Sequence, residues 1–563
     1  MIRNSRTASF LPSGLTDSSD QVESFAGACQ AMRNVVFNKS DWGSIVPRPG
    51  VTQMASLLAG GFISPTNIVV AKEIGNRIYG IVSTSRYAGK DEPFCYDRAT
   101  GTFISIGNVL STNTPSTMPT SGVYVPPTMD LVGAYLIFTH SGAVGSDYIY
   151  WIDTSASTLT WNAGNTSVNP LPSRPLAVAQ FSERAYYLCG NMLYFSDVLL
   201  PLSVSFPGNA LTVGNSRSGT ALCGLPVKTT TQGVLEALLV FKENSIWQVT
   251  GDYATGNLAL NQISQSFGCL APMTVAPVLE GVAFMSDDGI RLVNAGTFDV
   301  SLYTADVLLP FMNCTAPSRA CAAYNNGIYR ICLDTVVDGV VETRADYWYD
   351  TLRKRWTGAH SFGYDQITPC GISFAIFSST APGYLLQSDV VPTNATTYSD
   401  IGVAYSCFIQ TTNLSDTGEM AVKAIIETTL DLRVQNSSML YTVQALNDNQ
   451  QVLGTATVTT PSSGNLWGQG LWGQGLWAAA PAPYDHTFSV DWATPIVYKK
   501  LNYTITVTAS SGVAVERMFW REQVLGYTNI DILGSTYFTP RAAALLQDNG
   551  AYILQSNGYR ISL

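Results

Sequence analysis

Residues Ala237-Leu-Leu-Val-Phe-Lys-Glu-Asn-Ser-Ile-Trp-Gln-Val-Thr250 read as one hairpin. An apolar run turns over Lys-Glu-Asn-Ser and returns as a second run carrying Ile, Trp and Val. Short runs rich in β-branched and aromatic residues, bounded by Asn, Asp, Gly or Ser, are strand signals. The unit recurs along the chain. Run 77–83 is followed by 93–97 and 103–106, and run 131–139 by 148–153. Run 184–188 turns at Cys-Gly-Asn into 192–195, and run 282–285 turns at Ser-Asp-Asp-Gly into 290–293. Run 327–333 precedes 344–350 and 355–357, and run 372–377 returns as 384–387. Such a train of hairpins predicts an all-β chain whose main domain is a β-propeller of about seven blades.

The texture changes after residue 400. Runs 424–433, 440–445, 453–458, 498–507 and 513–520 alternate with period two. That pattern predicts a β-sandwich-like domain with one wet face. The expected organisation is an N-terminal arm and docking segment at 1–51, a propeller at 52–400, a β-sandwich domain at 401–526 and a tail at 527–563. A weak helical pattern lies at 22–32, and another at 541–547 in the tail. The docking segment, Arg33-Asn-Val-Val-Phe to Val51, closes on Pro47-Arg-Pro-Gly50, which blocks helix continuation.

Charged residues make up 12% of the 563, about half the usual quarter, while hydrophobic residues make up 46%. Solvation therefore rests on Ser, Thr, Asn, Gln and Gly, and large areas are expected to be buried or to face other subunits. The net charge of −10 argues against tight DNA binding, though an acidic or neutral lumen would let DNA slide. Ten scattered cysteines without a C-x-x-C pair read as buried reduced thiols, which suits assembly in a reducing cytoplasm. No signal peptide and no membrane span are expected.

Few constellations carry chemistry. The three histidines, His140, His360 and His486, have no metal-ligand spacing, and no nucleophile elbow, P-loop or dinucleotide fingerprint occurs. Asp346 and Asp350 flank Tyr347-Trp-Tyr349 and would share one strand face, but turn and solvated-face roles are the expectation over a glycosidase pair. Ser286-Asp-Asp-Gly289 reads as a type I′-like turn rather than a calcium loop. Arg353-Lys-Arg355 reads as a solvated hairpin tip or a subunit salt bridge. The segment Asn465-Leu-Trp-Gly-Gln-Gly-Leu-Trp-Gly-Gln-Gly-Leu-Trp477 places Trp467, Trp472 and Trp477 at equal steps of five, on a Gly-kinked loop. Exposed Trp clusters mark interfaces, and cover for a sheet is the competing reading. No catalytic residue, cofactor or metal is expected, and the chain reads as a building block, not an enzyme.

The segment at 33–51 resembles the "Asn-Val-(apolar)-Phe … Gly … Arg-Pro-Gly" opening of tail nozzle proteins of short-tailed bacteriophages, also called tail tubular or packaged-DNA stabilisation proteins. Three patches are similar to the same group: 241–251, Phe267-Gly-Cys-Leu-Ala-Pro272, and 281–293. The resemblance covers roughly residues 30–430. It implies a homohexameric ring at the distal end of a virion tail, docked on a portal-adaptor protein and contacted by tail fibres or spikes. Double-stranded DNA would pass through its lumen without sequence specificity. Arg33 and Arg48 would then anchor the N-terminal segment against another chain. The alternatives are a propeller glycosidase or depolymerase and a lectin-like adhesin using the Trp loop.

Overall fold

The computed structural model describes residues 5–18, 26–38, 44–62, 65–84, 91–104, 106, 128–139, 149–163, 171–205, 208–225, 228–230, 233–251, 257–303, 306–389, 398–414, 421–434, 439–460, 484–508 and 513–527. The chain divides into two compact units, one of residues 50–354 and 360–390, the other of 1–49, 355–359 and 391–563.

The first unit is a propeller of seven antiparallel sheets. Blade 1 is Pro65–Ile74, Arg77–Thr84, Asp91–Asp97 and Thr102–Ile104, and blade 2 is Met129–Val132, Tyr135–Phe138, Tyr150–Asp153 and Trp161–Ala163. Blade 3 is Ala177–Phe181, Arg184–Cys189, Met192–Phe195 and Ala210–Thr212, and blade 4 is Gly219–Gly224, Leu238–Lys242, Ile246–Thr250 and Ala259–Ser264. Blade 5 is Ala276–Val278, Gly281–Ser286, Gly289–Asn294 and Val300–Leu302. Blade 6 contributes Cys321–Asn325, Ile328–Val337 and Val340–Asp350 to this unit. Blade 7 is Gln366–Cys370, Ser373–Phe377 and Tyr384–Asp389, and its fourth strand is Val51–Ser56.

The first strand of each blade neighbours the first strand of the next, and that of blade 7 neighbours that of blade 1. The ring is thereby closed about an axis lined by these seven strands. Each blade is covered on both faces, which explains runs without polar alternation, such as the wholly buried Arg184–Cys189. Separate apolar clusters fill the seams: Tyr79 and Cys95 meet Phe138 and Trp161 between blades 1 and 2, and Leu188 and Phe195 meet Leu238 and Val240 between blades 3 and 4.

The first turn of six blades has two residues, as the register partners Ile74↔Arg77, Val132↔Tyr135, Phe181↔Arg184, Val278↔Gly281, Asn325↔Ile328 and Cys370↔Ser373 show. Asn326 and Gly327, at φ 48° and 82°, make the Asn-Gly hairpin turn that fits the strand twist. The run 131–139, expected as one strand, is two, because Gly133 turns the chain at φ 62°.

Among its described residues the second unit has two large sheets, antiparallel except where Gly14–Leu15 pairs parallel with Ala28–Arg33, and a small hairpin of Ser399–Asp400 with Val403–Ala404. One runs in the order Val35–Phe37, Ile45–Pro47, Val513–Tyr527, Ala421–Val434, Tyr484–Ser489, with Ser5–Phe10 added on Val513–Tyr527. The other orders Ala28–Arg33, Ser406–Thr411, Asn502–Thr508, Leu440–Leu446 and Val452–Thr459. Val35, Ile45 and Pro47 of the first sheet and Cys407, Ile409, Ile505 and Val507 of the second line one small apolar cavity. The β-sandwich expected over 401–526 is not confirmed as a separate domain, since both sheets take strands from the N-terminal 49 residues. The expected arm is likewise built into these sheets. The helical pattern at 22–32 gives way to the strand Ala28–Arg33, whose ladder with Ser406–Thr411 outweighs local propensity. The helical pattern at 541–547 and the Trp loop at 465–477 lie outside the described residues.

Candidate functional site

The docking segment folds around two of its own residues. Asn34 follows the strand Ala28–Arg33 at φ 58°, a backbone region that Asn tolerates better than most residues. The chain then pairs Val35–Phe37 with Ile45–Pro47 and delivers Arg48 beside it. The Arg48 backbone N–H donates to the Asn34 carbonyl at 3.0 Å, and Arg48 Nε donates to Asn34 Oδ1 at 3.1 Å. Its Nη1 and Nη2 bind Asp400 Oδ1 at 2.9 Å and Oδ2 at 2.5 Å, and Nη1 also donates to the Pro49 carbonyl. The guanidinium lies 4.2 Å from the centroid of the Tyr405 ring, whose hydroxyl donates to the Arg48 carbonyl. Burial pushes the Tyr405 hydroxyl pKa up, although Arg48 works the other way. Only a planar, always-charged fork can serve two carboxylate oxygens, an amide and a ring face together.

The expected interface residues fare differently. Arg48 is fully buried and gives its side-chain donors to Asn34, Pro49 and Asp400 of its own chain. Arg33 is exposed on its strand, opposite Phe408. Trp467, Trp472 and Trp477 lie outside the described residues.

The other three sequence patches meet at the seam of blades 4 and 5. Phe241 and Phe284 pack with ring centroids 5.1 Å apart. Cys269 N–H donates to the Lys242 carbonyl at 2.8 Å, and Leu270 N–H to the Met285 carbonyl at 3.1 Å. A side chain at Gly268 would overlap the Lys242 carbonyl oxygen, so glycine is needed for this approach. Arg291 lies 3.2 Å from the Phe267 ring centroid and binds Asp288, the third residue of the Ser286–Gly289 turn. Asp287 and Asp288 have no positive φ, so this turn is not of the type I′ expected. Lys242, wholly buried, donates to the Val213 and Asn215 carbonyls, and desolvation lowers its pKa.

The carboxylates weighed for glycoside hydrolysis are both engaged. Asp346 is buried and binds Arg330 at 2.8 Å, Trp348 Nε1 at 2.8 Å and the Tyr364 hydroxyl at 2.9 Å. Arg330 also donates to Ser388 Oγ at 2.9 Å, tying blade 6 to blade 7. This is a buried, hydrogen-bonded pair and not the solvated face expected for Asp346. Asp350 has the turn role that was expected: it accepts the Leu352 and Arg353 backbone N–H groups and pairs with the Arg353 side chain at 2.9 Å. Arg353 is thereby held at the turn and is not solvated as expected.

His360 is buried against Trp348; His140 and the His486 side chain lie outside the described residues. Among the described residues, no group of three or more His, Cys, Asp or Glu could hold a metal ion. None of their helices is long and apolar enough to cross a membrane.

Sequence reading missed the polar clasps at the propeller axis. Asp130 of blade 2 pairs with Lys72 of blade 1 and accepts the Gln180 N–H of blade 3 at 2.7 Å. Thr128 accepts the Val178 N–H at 2.9 Å, and Glu73 accepts the Gly371 N–H of blade 7 at 2.9 Å. Inner-strand edges are satisfied by side chains of neighbouring blades, which blunts edges that would otherwise pair with other chains. The one signal for them was a polar residue near the end of a short apolar run.

No protein-family model and no curated protein matches the chain. Among solved structures it is similar to a puromycin hydrolase mutant complexed with PGG, at 12% identity and a TM-score of 0.35, over 64% of this chain and 61% of that one. It is also similar to an exo-β-1,3-galactanase from Phanerochaete chrysosporium with β-1,3-galactotriose, at 7% identity and a TM-score of 0.24, over 84% of this chain and 99% of that one. The chain thus spans less than two thirds of the hydrolase's length. The expectation that this chain is not an enzyme is corrected by the comparison, since hydrolases are among its structural neighbours. The likeness is one of fold and assigns no reaction or substrate.

Proposed function

We propose that the chain is a component of a short bacteriophage tail. It forms the distal nozzle ring, docks on a portal adaptor, carries fibres or spikes, and conducts double-stranded DNA out of the particle. The observation that carries this reading is the placement of the four sequence patches that resemble the nozzle family. Asn34 and Arg48 of the first build one joint, and the other three build one seam between blades 4 and 5. Residues scattered over 33–293 thus have coherent structural roles. A net charge of −10 and a charged fraction of 12% suit a conduit that does not hold DNA and a surface largely covered by partners. Mass measurement of the purified chain, alone and with the portal adaptor, tests the reading. A single discrete oligomer is expected. A chain that stays monomeric under both conditions overturns it.

A further inference from the structure

Among the described strands, two of the ten cysteines sit in register with each other. Cys321 opens the first strand of blade 6 and lies directly opposite Cys332 of the second. Opposed residues of an antiparallel pair point to the same face, with Cα atoms about 4.5–5.5 Å apart. A disulfide spans Cα separations of about 4.4–6.8 Å. Both side chains are fully buried, and both sulfurs turn to the backbone of one residue. Cys332 Sγ accepts the Tyr364 N–H at 3.5 Å, and Cys321 Sγ donates to the Tyr364 carbonyl at 4.0 Å. Arg344 closes the group: its Nη2 donates to Cys321 Sγ at 3.7 Å and to the same Tyr364 carbonyl. Burial pushes both thiols up, and the Arg344 charge works against burial at both.

We propose that Cys321 and Cys332 are a redox-sensitive pair: two thiols under reducing conditions, and one disulfide when the chain meets a small-molecule disulfide such as oxidised glutathione. The proposal does not depend on the nozzle reading. The Cys321 thiolate attacks one sulfur of the oxidant and expels the first glutathione thiolate. The Cys332 thiolate then attacks Cys321 Sγ in the mixed disulfide and expels the second. One S–S bond forms in the chain and one breaks in the oxidant. The two electrons end on the two glutathione sulfurs, which take up the two protons. Cys321 is the first residue of its strand, and Arg319 just before it is half exposed, so opening of that one end admits the oxidant. Opposed Cβ atoms stand about 4.5–5.5 Å apart, whereas a disulfide prefers about 3.5–4.5 Å, so the bond draws the two strands together. The ladder can give here, because the register of Ile328–Val337 with Val340–Asp350 shifts between Leu333 and Thr335, beside Cys332. A bond formed under strain is easily reduced again, which makes this pair reversible and not a permanent staple.

The test is a peptide map of the full chain, kept folded and brought to equilibrium with rising ratios of oxidised to reduced glutathione. Burial makes the exchange slow, so equilibrium and not rate is read. After alkylation in denaturant, the peptides carrying Cys321 and Cys332 are expected to be joined, with the loss of two alkylatable thiols beyond any that carry glutathione. Dithiothreitol is expected to restore all ten. Cys321→Ala and Cys332→Ala should each form no internal disulfide, and Cys314→Ala should form the same one as the wild type. A folded wild type with no internal disulfide at the most oxidising ratio overturns the proposal, and so does a bond joining any other pair. The wild-type map decides the outcome even if a variant fails to fold.

Discussion

Thr52 and Gln387 are register partners, 335 residues apart in sequence, with the Thr52 hydroxyl donating to the Gln387 carbonyl at 3.5 Å. Their pairing puts the N-terminal strand Val51–Ser56 into the last blade. Replacing residues 51–56 by a Gly-Ser linker of equal length should leave blade 7 with a bare edge. Loss of a single cooperative melting transition, with aggregation on heating, is the expected result. An unchanged melt would show that the ring holds without this strand.

Arg48 is expected to matter for stability and not for docking. Arg48→Ala strands Asp400 and removes the stacking on Tyr405. The cost of breaking a buried pair on one side is about 3–5 kcal/mol, and the partial exposure of Asp400 places this case toward the lower end. Arg48→Lys should also destabilise, because an ammonium cannot span both carboxylate oxygens. Chemical denaturation with matched m-values measures both.

The Arg330–Asp346 pair offers a sharper comparison. Asp346→Ala leaves a buried guanidinium without its carboxylate and should cost about 3–5 kcal/mol. The double change Arg330→Met with Asp346→Leu should lie closer to the wild type, since apolar replacement of a whole buried pair is often near neutral. A double variant as unstable as the single one would mean that Tyr364 and Ser388 depend on the charges themselves.

Asp365 links stability to acid. Burial works to raise its pKa, but Arg344, the Ser379 N–H at 2.7 Å and Arg319 outweigh burial and hold it below the usual carboxylate range. A depressed folded pKa gives stability that is complete above the unfolded value of about 3.9 and lost as pH falls through the folded one. Asp365→Asn should therefore lower the melting temperature at pH 7 and flatten its decline below about pH 4. Melting curves across that range check the sign.

The thiols should be slow. Burial pushes Cys95 and Cys370 up to about 11, and Cys189, Cys269, Cys321 and Cys407 up to about 12. Cys223 and Cys314 are the two with partial exposure, and burial raises both of these as well. Titration with a thiol reagent near pH 8 should count at most two reactive groups in the folded chain and all ten after denaturation.

The hairpins were legible because their signals are local. Runs such as Leu238–Lys242 with Ile246–Thr250, and the turns between them, lie within a few residues of one another. The inner strands were harder to read. Ala276–Val278 is three residues long and Gly219–Gly224 holds two glycines, so neither has a periodic pattern. The recurring two-residue first turn, from Gly75-Asn76 to Gly371-Ile372, was the repeat that would have revealed them. The strands at 28–33 and 51–56 were not legible at all, since the antiparallel partners that hold them lie more than three hundred residues away. Arg48 shows the same limit: sequence marks it as notable, but only the fold brings Asp400 and Tyr405 to it.

The nozzle assignment is tested most directly by electron microscopy of intact tailed particles labelled against this chain. Label in a ring at the distal end of the tail is the expected result. Label elsewhere on the particle, or particles that carry none, would contradict the assignment.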